Sequence, residues 1–269
     1  MISMGPGEFT PITLCSPRES TSPKFARAFS TGCGGVMKNL PIAEPLHRPI
    51  ALFGSSVGWN QITAARESGR DWYYGDHAFL GARSTFYRIS HNEFQYRGTE
   101  ERDGARRFML LEKPIRPWRK AGRDVLVCPA PAVHAALMGF DGHEAEKAMV
   151  AAVKDATDRP VVVRYKATAT TPIASALADA WAVVTYHSNV AIDALIYGVP
   201  VFVLCPWAAT RRMALADLAE IERPYYPDNR PEFCHALASH QWTMDEIAAG
   251  KAWRVLRDEA EATRARMAA

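Results

Sequence analysis

Short apolar, β-branched runs alternate with stretches of helical periodicity along the whole chain. Ile12-Thr13-Leu14-Cys15 reads as a first strand, the polar turn SPREST follows, and Pro23 opens a helix to about Phe29. Pro49 to Phe53 is a second apolar run. It ends in Gly54-Ser55-Ser56, after which Trp59 to Ser68 is helical and Gly69 stops it. Trp72-Tyr73-Tyr74 predicts a short strand that delivers Asp76 and His77 to its end, and FYRISHNEFQYRG predicts a further strand or hairpin.

From Asp124 the pattern becomes regular: strand VLVCP, a helix from about His143 to Ala156, strand PVVVRY, and a short helix near Ser175 to Asp179. Then comes VVTYHSNVAIDALIYGVPVFVL. Its two ends are too short and too β-branched to be anything but buried strands. Between them lies a helix that Ser188 or Asn189 can cap and that Gly198 and Pro200 stop. Three helical segments close the chain, near Met213 to Ile221, Pro231 to Ser239, and from Thr243, where Thr243-Met244-Asp245-Glu246 matches a capping box. Strand-helix-strand units of this kind build parallel sheets covered on both faces. The expectation is therefore an α/β protein of two Rossmann-like domains with C-terminal helices: residues 1–115, a Pro- and Arg-rich linker at 116–123, and residues 124–269.

Composition narrows the class without naming a function. The chain has 269 residues, 48% of them hydrophobic and 23% charged, which is ordinary for a soluble globular protein. A formal net charge of +3 does not by itself argue for nucleic acid. Arg102, Arg106, Arg107, Lys113, Arg116, Arg119, Lys120 and Arg123 nevertheless form a local basic run, which reads first as a solvated linker. The five cysteines are odd in number, widely spaced and contain no C-x-x-C pair, so neither a disulfide framework nor a zinc site is expected and a reducing cytoplasm fits. The sequence has no stretch of 18 apolar residues and no basic start followed by an apolar core, so neither a membrane span nor a secretion signal is expected.

Two Rossmann-like halves do not name a reaction. No G-x-G-x-x-G follows a candidate strand and no Walker lysine loop occurs, which disfavours a nicotinamide or flavin enzyme and a P-loop enzyme. In open parallel sheets the ligand sits beyond the carboxyl ends of the strands, where the first amides of the next helix suit a phosphate. The cluster Tyr186, His187, Ser188 and Asn189 falls at that end.

The segment PVVVRYKATATTPIASALADAWAVVTYHSNVAIDALIYGVPVFVL resembles the donor-binding half of capsular-polysaccharide-type glycosyltransferases of the GT-B architecture. In that family a strand ends in an Arg-Pro-His-Pro-like motif, a short helix follows, and the next strand delivers a Ser/Thr/Asn pair onto a helix of the form A-L-x-x-G-x-P-V. Order and spacing match over about 45 residues. The likeness extends weakly to the first strand and its Ser/Arg loop. Tyr165 and Lys166 stand after Arg164 where the family tends to have a histidine and a second proline, so that histidine's role on the donor phosphate does not transfer. The ending W-T-x-x-E-I near Trp242 also resembles proteins of tailed-phage genomes.

The resemblance implies two domains facing a cleft, and transfer of a sugar from a nucleotide-activated donor to an acceptor hydroxyl, with the nucleotide sugar as substrate and no cofactor. Arg164 and Lys166 at a strand end, with Ser188 and Asn189 across the crevice, make a plausible phosphate clamp, and His187 is placed to hydrogen-bond the donor. Asp76 and His77 are the candidates for the base that takes the acceptor proton. Ser55, Ser56 and Asn60 are candidates for the acceptor side. No D-x-D pair is present to hold a metal-bridged diphosphate, so metal independence is expected. The acceptor is a glycan or, in a phage setting, a hydroxylated DNA base flipped from the duplex. A small N-terminal half leaves room for a second copy of the chain to complete the acceptor site. A non-catalytic binding or structural protein, or a nucleotide-sugar epimerase or hydrolase, would use the same scaffold.

Overall fold

The computed structural model describes residues 10–42, 46–54, 58–82, 84–130, 135 and 140–268. In chain order these form β1 (Ile12–Cys15), α1 (Ser22–Cys33), β2 (Val36–Asn39), β3 (Ile50–Phe53), α2 (Trp59–Glu67), β4 (Trp72–His77) and β5 (Tyr87–His91). Next come α3 (Gly104–Met109), β6 (Asp124–Cys128), α4 (Gly142–Ala156), β7 (Val161–Val163), α5 (Ile173–Ala178), β8 (Ala180–Thr185) and α6 (Val190–Tyr197). The chain ends with β9 (Val201–Val203), α7 (Arg230–Ser239), β10 (Gln241–Trp242), α8 (Met244–Ala248) and α9 (Lys251–Ala268). They make two compact units. One holds the described residues up to Tyr96 together with those from Ser239 onward, and the other is Arg97–Ala238.

The first unit is built on a six-stranded sheet of order β10-β5-β4-β3-β1-β2. Strands β1 to β4 run parallel, while β5 and β10 are antiparallel to their neighbours. Because side chains alternate along a strand, Leu14, Ile50, Leu52, Trp72 and Tyr74 share one face, where Ile62 of α2 covers them. Phe53, Tyr73, Ile89 and Trp242 form the other, under Phe25 and Phe29 of α1 and Leu256 of α9. Gly75 lets α1 come close, since a Cβ there would lie 2.5 Å from the Phe25 ring. The last helix is pinned by a half-buried carboxylate. Asp71 accepts hydrogen bonds from Arg264 Nη1 at 2.6 Å and Asn92 Nδ2 at 3.0 Å, and pairs with His91 Nε2 at 2.8 Å. Burial pushes the Asp71 carboxyl up, but His91, Asn92 and Arg264 outweigh it and hold the group at about 2.

The second unit carries a fully parallel sheet of order β7-β6-β8-β9. Val125, Val127, Val184 and Phe202 pack under Met149 and Val153 of α4. Helix α6 buries Ala191, Ile192, Ala194, Leu195 and Ile196 and ends at Gly198, whose φ of 77° favours glycine.

The Pro- and Arg-rich segment is part of this second unit. Arg116 N donates to Ile196 O and Arg119 N to Gly198 O, both at 2.8 Å, while Arg119 Nη1 donates to Leu177 O at 2.7 Å. Arg230 Nη1 donates to Leu195 O at 2.7 Å and stacks over the Trp118 ring at 3.7 Å. These cations cap the carbonyl ends of α5 and α6, where the helix dipole favours positive charge. The solvated linker expected at 116–123 is thus a strap tied to its own unit. The division of the chain also differs from residues 1–115 and 124–269. Strand β10 pairs with β5, and α8 and α9 turn their apolar residues onto the first sheet. The helix expected near Met213 to Ile221 is two short 3-10 turns, Ala209–Met213 and Leu218–Glu220.

Candidate active site

In the second unit the chain passes from β6 outward to β7 and then returns to the opposite side of β6 as β8. The connection reverses at the carboxyl ends of β6 and β8, the place where open α/β sheets leave a crevice for ligand. Thr185, fully buried, organises that end. Its hydroxyl donates to Cys128 O at 2.6 Å and accepts from Ser188 N at 3.3 Å. Ser188 Oγ in turn accepts from Val190 N at 3.3 Å, while Asn189 occupies the N-cap position of α6 without a side-chain capping bond. His187, Ser188 and Asn189 therefore sit together, half-buried, where β8 hands over to α6.

Arg164 and Lys166 lie one strand further away than the sequence implied. They follow β7, which β6 separates from β8, so the two strand ends stand about 10 Å apart. The Arg164 guanidinium donates to Thr171 Oγ1 at 3.2 Å and to the Thr171 carbonyl, closing the loop that carries the exposed Lys166. In the same loop the Tyr165 hydroxyl donates to the Glu146 carboxylate, and that hydrogen bond raises its phenol above the ordinary range.

Beside the β6 and β8 ends lies a cavity of about 270 Å³, lined among others by Pro129, Phe140, Ala145, Met149, Tyr186 and Leu204. Tyr186 meets Phe140 edge-on at 5.0 Å between ring centroids. Sequence reasoning missed both this apolar slot and Thr185. The slot is assembled from four separate segments, but Thr185 had a local signal, a polar residue ending a run of β-branched ones. Burial pushes the neighbouring Cys128 thiol up to about 12, so it offers no thiolate.

In the first unit, Asp76 and His77 end β4 at the same sheet edge as the ends of β1 and β3. Asp76 forms an ion pair with Arg88, its cross-strand partner on β5, and accepts from His77 N at 2.7 Å. Burial pushes the carboxyl up, yet the Arg88 charge and hydrogen bond outweigh it and hold Asp76 below the usual carboxylate range. Arg88 is 6% exposed and also stacks over Phe79 at 4.4 Å. The half-buried His77 ring meets Phe53 edge-on at 5.4 Å. Asn60 is exposed in the first turn of α2, and Ser55 and Ser56 lie outside the described residues. Gly54 to Gly58, GSSVG, also fits the G-x-S-x-G spacing between a strand and a helix, a signal for a nucleophile elbow that sequence reasoning passed over. Among the described residues no group of three His, Cys, Asp or Glu side chains is arranged to hold a metal ion, and no helix is long and apolar enough to cross a membrane.

Comparison with known proteins adds a fold relationship. No family model matches the chain, and no curated protein does. Among solved structures, the Thermosulfurimonas dismutans KpsC beta Kdo 2,7 transferase aligns with a TM-score of 0.53 and 14% identity, covering 87% of this chain and 92% of that one. The beta Kdo 2,4 transferase of the same KpsC aligns with a TM-score of 0.51 and 13% identity, at the same coverage of 87% and 92%. The protein is thus a mixed α/β chain whose fold resembles that of capsular polysaccharide Kdo transferases.

Proposed function

We propose that this protein is a glycosyltransferase that moves a sugar from a nucleotide-activated donor to an acceptor hydroxyl. The observation that carries the reading is the β6/β8 edge. There Ser188 and the first amides of α6 follow directly after Tyr186, which lines an apolar cavity, on a fold like that of Kdo transferases. On this reading the second unit holds the donor and the first receives the acceptor, in the GT-B manner. The α6 amides, the Ser188 hydroxyl and Asn189 stabilise charge on the leaving phosphate, and His187 hydrogen-bonds the donor. Arg164 and Lys166 join them once the phosphate replaces Thr171 as the partner of Arg164.

At the acceptor, His77 takes the hydroxyl proton. Asp76, held ionised by Arg88, is a weak base and orients His77 through its amide. Asn60, Ser55 and Ser56 belong to the acceptor side of the proposal. The acceptor is a glycan or a hydroxylated DNA base, the donor enters as substrate without a cofactor or metal, and the setting is cytoplasmic. The test is sugar transfer or donor hydrolysis with a panel of nucleotide sugars, a Kdo-charged donor first, in the wild type and in Ser188→Ala and His77→Ala. Loss of turnover with retained melting temperature in both variants supports the reading.

A second reading is a non-catalytic binding protein. It is favoured by the internal partners that Arg164 and Asp76 already have, and by Tyr165 at the position of the family's histidine. Donor binding with no turnover would select it.

A further inference from the structure

Helix α3 is seated by one face only. A Cβ at Gly104 would lie 1.9 Å from His235 O, and the buried Phe108 ring lies 5.7 Å from the His235 ring, so Gly104 and Phe108 hold the helix against α7. The opposite face carries Arg106, Met109 and Leu110, and the exposed Lys113 follows it. Met109 is 70% exposed and Leu110 69%, the two most exposed large apolar side chains among the described residues. Arg102 and Arg107 are matched by Glu100 and Asp103. Over residues 105–120, six Lys and Arg face a single carboxylate, Glu112. Arg116 and Lys120 are also exposed, whereas Arg119 is used to cap helices; Lys113 Nζ stands 3.9 Å from Asp193.

We infer that this α3 face is a membrane-surface site that takes anionic lipid headgroups, with Met109 and Leu110 entering the acyl boundary between the cations. Adjacent exposed apolar side chains ringed by Arg and Lys are what a peripheral lipid-binding segment requires, because burial of the apolar pair and attraction to anionic headgroups add. A second copy of the same face would bring like charges together. A nucleic-acid backbone would engage the cations and leave Met109 and Leu110 in water. The inference is independent of the sugar-transfer reading.

The test is flotation of the full chain with neutral phosphatidylcholine vesicles and with vesicles enriched in phosphatidylglycerol. The wild type floats with the anionic vesicles, releases as salt is raised, and does not float with neutral ones. Arg106→Glu weakens that partitioning about fivefold for each unit of charge changed. Met109→Ser with Leu110→Ser weakens it by about tenfold or more. Both variants keep the wild-type melting temperature, since these side chains are largely exposed. Failure to float, equal flotation with neutral vesicles, flotation unchanged in both variants, or binding to duplex DNA that the serine variant leaves intact would overturn the inference.

Discussion

Two carboxylates in the first unit show how much a residue's surroundings decide its chemistry. Asp76 and Asp71 both sit at ends of β4, and both are held below the ordinary carboxylate range by cations. A group whose folded pKa is depressed stabilises the fold above its unfolded pKa and loses that contribution as pH falls through the folded value. For Asp71 the window runs from about 4 down to about 2, and the contribution is roughly 2 kcal/mol. The stability gap between wild type and Asp71→Asn, measured by urea unfolding, is accordingly widest at pH 6 and narrows to roughly a third of that at about pH 2.5. Asp76→Asn leaves the Arg88 charge buried without its partner, which costs about 3 kcal/mol. Adding Arg88→Met to that variant restores most of the loss, and a double-mutant cycle checks it.

The elements that carry the second unit were largely legible in the sequence because their signals are local. Short continuous apolar, β-branched runs marked β6, β7, β8 and β9, Gly198 marked the end of α6, and Thr243 with Glu246 forms the capping box seen at α8. Strand β2 escaped because all four of its residues are exposed, and β10 because it is two residues long. The α6 terminus supplies an element-scale prediction. A Cβ at Gly198 would lie 2.1 Å from the Pro117 carbonyl oxygen, and the position needs a left-handed backbone. Gly198→Ala therefore costs at least about 2 kcal/mol of stability, read by urea unfolding, because both the αL conformation and the strap must shift.

At the scale of the whole molecule, the chain's return to the first sheet was not legible, since no local pattern says which sheet an amphipathic helix will cover. Trp242, Ile247 and Leu256 belong to the first core, although they follow the second unit in sequence. Residues 97–238 expressed alone should keep a cooperative unfolding transition, whereas a chain cut after Ala238 should lose the first unit's, as followed by near-ultraviolet circular dichroism. The candidate site divides the same way. The Ser188 edge was readable from its strand-to-helix spacing, but the apolar cavity and the Asp76–Arg88 pair needed long-range pairing to appear. The most direct test of the central proposal is a thermal-shift titration with nucleotides and nucleotide sugars. A ligand at a hundredfold excess over its Kd adds about 2.7 kcal/mol, a readily visible rise in Tm. A rise with one nucleotide sugar that is lost in Ser188→Ala is the predicted result; no rise with any of them would contradict the donor site at the β6/β8 edge.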